Sequence, residues 1–286
     1  MFPDVDTRDA AAVASRIRRY ASGAYPEADL SFFDRVFDMV KQMFEGEFEG
    51  LSAADLGYHD YQHTLQASLC MAELLANRQT AGTSPALTWR QYELGMAAVL
   101  MHDCGYLKSS ADGDGTGAKY TYAHVLRSCA AAASLLPRVG LTLREVTTVL
   151  GAIRCTGPDS DIKKLHFDSE ADFLLGACVA TSDYLGQLAA EDYPDELEIL
   201  YNEFNESDDY LNVPLEKRMF KSVEELIAKT PGFWQYVVRP KLDSDFRGIY
   251  QFLATPYPDG PNRYLEAIEH NMTIIAAKSV PAATGN

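Results

Sequence analysis

Basic side chains are scarce in this sequence, since its 286 residues include 25 lysines and arginines but 41 aspartates and glutamates. The formal net charge is −16 at pH 7. Proteins that bind nucleic acids or anionic membranes broadly need a basic surplus to displace counterions. The composition therefore argues against a nucleic-acid polymer or a membrane surface as the partner of this protein.

Cysteines are few, and long hydrophobic runs are missing. The five cysteines are an odd number, widely spaced and without a CxxC pair, which favours reduced thiols over a disulfide framework. No run approaches the roughly 18 apolar residues of a membrane span, and the N-terminal segment lacks the basic-then-apolar order of a secretory signal. We therefore expect a cytoplasmic globular protein, and 47% hydrophobic residues are enough to build its core.

Helical periodicity dominates the chain, whereas β-branched segments with a period of two are few and short. The spacing of apolar residues and the capping signals predict helices near 8–22, 31–45, 63–77, 88–102, 120–136, 142–154, 169–188, 195–206, 214–229, 233–252 and 261–276. The prediction is an all-α protein. A helical core over 31–190 would carry an N-terminal helical extension (1–30) and C-terminal helices (191–286) in one compact domain.

Histidines and carboxylates form the most informative pattern. Four of the six histidines lie between positions 59 and 124: His59, His63, His102 and His124. Asp103 closes an apolar helix and Asp183 lies within another, and a buried carboxylate there needs a partner or a metal. Each residue taken singly is also compatible with a core histidine or a helix cap, but together they predict a site for a divalent cation.

These residues resemble a known superfamily. Residues 58–63, YHDYQH, resemble the Y-H-[ND]-x-x-H signature of class I cyclic-nucleotide phosphodiesterases. Residues 101–105, MHDCG, resemble the H-D-x-[GD] core of the HD metal-dependent phosphohydrolases, and Asp183 takes the place of that superfamily's closing aspartate. The resemblance covers about residues 55–190 and implies an HD/PDEase-like helical bundle.

The resemblance also implies roles for individual residues. The first metal would be held by His63, His102, Asp103 and Asp183, with Asp103 bridging toward a second metal. His59 would be the general acid, so that His59 and Asp103 are the catalytic residues. The reaction implied is attack of a metal-bound hydroxide on a phosphoester of a nucleotide or another small phosphorylated compound. One or two ions of Mn, Fe, Mg, Zn, Ni or Co would suit such ligands.

The second metal site departs from the pattern. His124 falls where many HD proteins place a histidine for the second metal or for phosphate, but the further histidine of binuclear members is replaced here by GAIRCTGPD. Cys155, Thr156 or Asp159 would occupy its place, although a thiolate favours softer ions. Two other functions therefore stay open: a ligand-sensing protein of the same fold without turnover, and a di-iron oxygenase. A homodimer is also left open.

Several other residues carry weaker expectations. The Gly-rich stretch 109–119 predicts a mobile loop flanked by Lys108 and Lys119, and whether this loop is a lid over the site is left open. These lysines and Arg127 are candidates for a substrate phosphate or for solvated surface. Two glutamines, Gln187 and Gln251, are candidates for purine binding. Several of the acids in 191–209 are expected to be solvated surface, and His166 and His270 are expected to be structural.

Overall fold

The computed structural model describes residues 4–157 and 160–279, which fold into α-helices joined by short 3₁₀ and π-helical turns. The α-helices are α1 (Ala10–Ala24), α2 (Ser31–Glu45), α3 (Tyr61–Thr80), α4 (Trp89–Met101), α5 (His124–Leu135), α6 (Leu143–Ile153), α7 (Glu170–Leu188), α8 (Tyr193–Tyr210), α9 (Val223–Phe233) and α10 (Arg263–Lys278). The described residues contain no β-strand, so the predicted all-α fold is confirmed. None of the helices in these ranges combines the length and apolarity needed to cross a bilayer.

Helices α3 and α7 form the centre of the bundle and pack against each other along their length. In α3, 15 of the 20 residues are buried, so this helix has no solvent-facing side of any width. A helix that is buried on nearly all sides needs other helices around it. Helices α1 and α4 cover α3, whereas α6 and α10 cover α7.

Capping side chains set the starts of the helices that carry the site. Asp60 accepts the backbone N–H of His63 at 3.0 Å and is the N-cap of α3. This cap leaves His59 on the entry loop and places His63 in the first turn, as the sequence predicts. The predicted capping box at Thr142 and Glu145 is present at the start of α6, and Ser169 caps α7.

Three predicted helices differ from the observed ones. Helix α5 begins at His124 rather than near 120, and α9 begins at Val223 rather than near 214. The segment predicted as one helix over 233–252 instead contains two π-helical turns on either side of Pro240. Proline has no N–H to donate to the preceding turn, so regular α-helical bonding is interrupted there.

Gly186 allows the two central helices to approach closely. A Cβ atom at this position would lie 2.8 Å from the backbone nitrogen of Ala67 in α3, closer than any real Cβ contact. Gly186 follows Asp183 by about one helical turn on α7. The close approach of α7 to α3 therefore brings Asp183 next to His63 in the first turn of α3.

This packing leads to a stability prediction. Gly186→Ala should lower the free energy of unfolding by about 1–3 kcal/mol, because the new methyl group pushes α7 away from α3. The matched control is Gly23→Ala in α1, where a Cβ would meet nothing within 4 Å. This control should gain about 0.5–1 kcal/mol from helix propensity. Urea unfolding measures both variants, and a Gly186→Ala protein as stable as the Gly23→Ala control would contradict the close-contact explanation.

Candidate metal centre

Four side chains from separate parts of the bundle converge at the base of a cavity. His63 lies in the first turn of α3, His102 is the C-cap of α4, Asp103 follows it, and Asp183 lies within α7. The Nε2 atom of His63 lies 3.2 Å from Asp103 Oδ2 and 3.4 Å from Asp183 Oδ1. The Nε2 atom of His102 lies 3.3 Å and 3.6 Å from the same two oxygens. The two Nε2 atoms are 3.3 Å apart.

Three of these atoms, His63 Nε2, His102 Nε2 and Asp103 Oδ2, lie 3.2 to 3.3 Å from one another, which matches the spacing of ligand atoms around one small cation. Asp183 Oδ1 adjoins the two imidazoles but lies outside this compact group of three. A tetrahedral ion with ligand bonds of about 2.1 Å separates its ligand atoms by about 3.4 Å. Asp103 Oδ2 is buried and makes no hydrogen bond, although both imidazoles lie beside it. His102 Nδ1 donates to the carbonyl of Val99 at 2.7 Å, so in the neutral ring the Nε2 lone pair points toward the cluster. The residues therefore fit a divalent cation.

The cluster strongly perturbs the acid–base properties of its members. Burial disfavours the charged form of His63, but the carboxylates of Asp103 and Asp183 raise its pKa to about 10. Burial likewise opposes ionisation of both aspartates, yet the His63 and His102 imidazoles hold the pKa of each carboxyl well below its usual range. Without an ion, the two aspartates therefore remain charged and His63 supplies a compensating proton.

His124 approaches the other oxygen of Asp103. Its Nε2 atom lies 3.6 Å from Asp103 Oδ1, and its Nδ1 atom donates to the carbonyl of Thr121 at 2.6 Å. Burial lowers the pKa of His124, which keeps the ring neutral near pH 7 and able to act as a ligand. The turn over residues 103–107, which follows His102 and is called the HD turn below, lies close to α5 because residue 105 is glycine. A Cβ at this position would lie 2.0 Å from the His124 carbonyl oxygen.

Cys155 does not join this second position, contrary to the expectation that it replaces a histidine ligand. Its thiol lies 3.3 Å from the carbonyl of Gly151 and packs against Gly176 of α7. Burial raises the pKa of Cys155 to about 12, so the thiolate is disfavoured. The hydroxyl of Thr156 donates within its own turn, and Asp159 lies outside the described residues.

His59 lies on the cavity wall and is held by a glutamate of α8. Its Nδ1 atom lies 2.6 Å from Glu203 Oε2. The other oxygen, Glu203 Oε1, accepts the backbone N–H groups of Tyr58 at 2.7 Å and Gly57 at 3.1 Å. Burial raises the pKa of Glu203, but the adjacent His59 ring and these N–H groups lower it overall. One carboxylate thus fixes both the ring and the loop that carries it.

Sequence reasoning missed Glu203, because it stands in the acidic stretch 191–209, several of whose acids were expected to be solvated. Glu203 and Asp208 are instead buried, at 5% and 2% exposed. A signal was present in the periodicity of α8, where Glu203 stands in phase with Leu200 and Ser207 on the inward face. His166 and His270 are exposed and lie apart from the cluster.

The cations near the 109–119 loop hold the loop in place instead of facing the cavity. Lys108 donates to the carbonyl of Gly115 and forms an ion pair with Asp55 at 2.6 Å. Lys119 is buried and donates to two loop carbonyls, each at 2.9 Å. Arg127 donates to two carbonyls of the HD turn at 2.6 and 2.8 Å. None of the three lines the cavity above the cluster.

The cluster opens into a cavity of about 170 Å³. Helices α7, α8 and α9 supply most of the wall, so the C-terminal helices complete the site. Gln187 lies on this wall, where its amide nitrogen donates to Asp183 Oδ1 at 3.1 Å and its oxygen accepts the Tyr58 hydroxyl at 2.8 Å. Gln251 is exposed and does not line the cavity.

Comparison of the chain with known proteins finds no matching protein-family model and no matching curated protein.

The state of His63 predicts that metal binding releases protons. At pH 7 the metal-free His63 is protonated because its pKa is raised to about 10, whereas a ligand imidazole must be neutral. Burial opposes the charged form of His102, but Asp103 and Asp183 raise its pKa as well. Binding of Zn²⁺ or Mn²⁺ should therefore release at least one proton per ion from these imidazoles, and affinity should fall as the pH is lowered. Calorimetric titrations in two buffers with different ionisation enthalpies measure this release.

The control for this titration is His166→Ala, which removes an imidazole that is 90% exposed. This variant should bind metal with the same affinity and the same proton release as the wild type. Binding that is independent of pH between 6 and 8, with no proton release, would contradict the protonation state assigned to His63.

Proposed function

We propose that this protein is a metal-dependent phosphohydrolase with an HD/PDEase-like helical bundle. The observation that carries the proposal is the compact group of His63, His102 and Asp103, with Asp183 beside the two imidazoles and with His59 oriented by a buried glutamate. The first four would hold a divalent ion such as Mn, Fe, Mg, Zn, Ni or Co. When bound, the ion supplies Lewis-acid activation of water and of the phosphoryl group.

The other steps of the reaction would depend on protein side chains, each with a separate role. Asp103 presents one oxygen to the cluster and the other to His124, so Asp103 would bridge toward a second ion, and His124 would hold that ion or a phosphate. His59 would donate a proton to the leaving oxygen. Since its Nδ1 atom is bonded to Glu203, its Nε2 atom remains for the substrate. Glu203 would act as a positioning residue by fixing this orientation of the ring.

The substrate proposed is a phosphoester of a nucleotide or of another small phosphorylated compound. The net charge of −16 argues against a nucleic-acid polymer and against an anionic membrane as partner. All five cysteines are free thiols, which suits a cytoplasmic protein. Assembly as a homodimer is compatible with the proposal, since the site is built within one chain.

Metal content and activity test the proposal together. Protein purified without chelator should contain close to one divalent ion per chain or more, and it should hydrolyse a member of a panel of cyclic nucleotides, mononucleotides and aryl phosphates. His102→Ala and Asp103→Asn should lose at least 100-fold in kcat/KM, because each removes a ligand of the cluster. His166→Ala is the matched control and should keep wild-type activity.

Two results would contradict the phosphohydrolase proposal. One is metal content below about 0.2 per chain that Mn, Fe, Mg and Zn all fail to restore, since such a site would not supply the required Lewis acid. The other is a metal-loaded protein that is inactive on the whole panel. Circular dichroism of every variant separates loss of activity from loss of fold.

The pair of His59 and Glu203 predicts a second effect on activity. Glu203→Gln should lower kcat by about 10- to 100-fold with a smaller change in KM, because the ring loses its charged partner and its fixed orientation. Asp209→Asn, on the exposed side of α8, serves as the control and should change kcat less than twofold. Equal metal content in both variants would assign the effect to His59; loss of metal in Glu203→Gln would contradict the positioning role.

A ligand-sensing protein without turnover is the second candidate. This candidate is favoured by the small number of ligands at the second metal site, where His124 is the one described histidine that faces Asp103 Oδ1. Tight metal and ligand binding without hydrolysis would support this candidate. A di-iron oxygenase would need further histidine ligands near that position, and iron-dependent oxygen consumption would be its signature.

A further inference from the structure

The cavity changes character with distance from the metal cluster. Its inner end is formed by imidazoles and carboxylates, whereas its outer wall is built by large apolar side chains of α7, α8, α9 and the segment before α9. These apolar residues are Leu188, Leu200, Phe204, Met219, Phe220, Leu226 and Phe233. The outer wall is continuous with the site, so any molecule whose phosphate reaches the cluster places its remaining part against this surface.

Several polar groups of the lining are already engaged within the protein, and the remaining ones include the phenol hydroxyls of Tyr106, Tyr184 and Tyr193. The hydroxyl of Thr121 donates to the carbonyl of Ala118 at 2.7 Å, and that of Thr230 donates to the carbonyl of Leu226 at 2.8 Å. Gln187 is bonded through both its amide nitrogen and its oxygen. A nucleobase and a ribose carry several donors and acceptors, and burying them against such a wall leaves them unpaired at a cost.

Positive charge is equally sparse on this wall. Lys229 is the one lysine or arginine among the described lining residues, and it forms an ion pair with Glu225 at 2.7 Å. A compound with several phosphates would therefore meet no second cationic subsite beyond the cluster. The wall instead suits one phosphoryl group at the inner end and an uncharged, apolar body above it.

We infer that the substrate is a phosphoester of an apolar alcohol or phenol, with its aryl or alkyl group on the outer wall. This inference rests on the proposed function and narrows its substrate class away from nucleotides. Met219 and Phe233 support it further, because they line the cavity while remaining 42% and 36% exposed. Apolar side chains at the mouth favour entry of an apolar group, since contact with them already removes its surface from water.

Binding of phosphonates tests the inference without any need for turnover. The probes are phenylphosphonate and its 4-ethyl, 4-butyl and 4-hexyl derivatives, titrated calorimetrically into the metal-loaded protein. Complete burial of a methylene group strengthens binding about fourfold, so 4-butylphenylphosphonate should bind at least tenfold more tightly than phenylphosphonate. The phosphonate analogue of adenosine monophosphate should bind more weakly than the butyl compound.

The matching phosphate esters provide the activity arm. Phenyl and 4-alkylphenyl phosphates have leaving groups of similar pKa, so an increase in kcat/KM along the series reports binding of the alkyl chain. If phosphonate affinity rises with chain length but no ester is hydrolysed, the proposed hydrolase function fails while the assignment of the apolar wall stands. If hydrolysis occurs but chain length has no effect, the function stands and the inference is overturned.

Two variants locate the effect on the wall. Phe233→Gln should reduce the butyl-to-phenyl affinity ratio at least threefold, because it places a polar group at the mouth. Tyr236→Gln is the matched control, since this aromatic residue is 73% exposed and does not line the cavity, and its ratio should match the wild type. Flat affinity across the series, no measurable binding of any phosphonate, or tighter binding of the nucleotide analogue would each overturn the inference.

Discussion

The burial of two carboxylates inside an apolar helical bundle is the constraint on which the structure depends. Asp103 and Asp183 are 2% and 9% exposed, and a buried ion without compensation costs several kcal/mol. His63 and His102 lie within 3.6 Å of both aspartates and supply that compensation as protonated partners or as co-ligands of a cation. The bundle must therefore hold α3, α4 and α7 in one arrangement. If any one of these helices moved, a buried carboxylate would lose its imidazole partner and remain uncompensated among apolar side chains.

Small residues at two contacts make this arrangement possible. Gly186 lets α7 approach the backbone of α3, and Gly105 lets the HD turn approach α5. The first contact brings Asp183 to His63, and the second brings His124 to Asp103. The convergence of the candidate ligands therefore depends on close backbone packing, because short side chains can meet only when the helices that carry them lie close together.

Helices α8 and α9 then give the cluster its surroundings. Glu203 reaches from α8 to orient His59, while neighbouring positions of α8 and α9 build the apolar wall. The same helices therefore hold the proposed proton donor and shape the space for the proposed substrate. A site that is charged at its base and apolar above it could attract a phosphate in a protein with a net charge of −16, because a cation bound there would govern the local field.

Local sequence patterns determined the helical class, most helix positions and the caps at Thr142 and Ser169. These features depend on periodicity and on neighbours within about four residues, which a sequence displays directly.

Tertiary packing alone decided what depends on contacts between distant segments. It buried Glu203 beside His59 and placed the Cys155 thiol against α7. It also placed Lys108 and Lys119 where they donate hydrogen bonds to carbonyls of the 109–119 loop. The local sequence around a glutamate or a lysine looks the same whether its side chain is exposed to solvent or forms a buried hydrogen bond. The partner that distinguishes the two cases is contributed by another part of the chain, so only the packing of the helices can supply it.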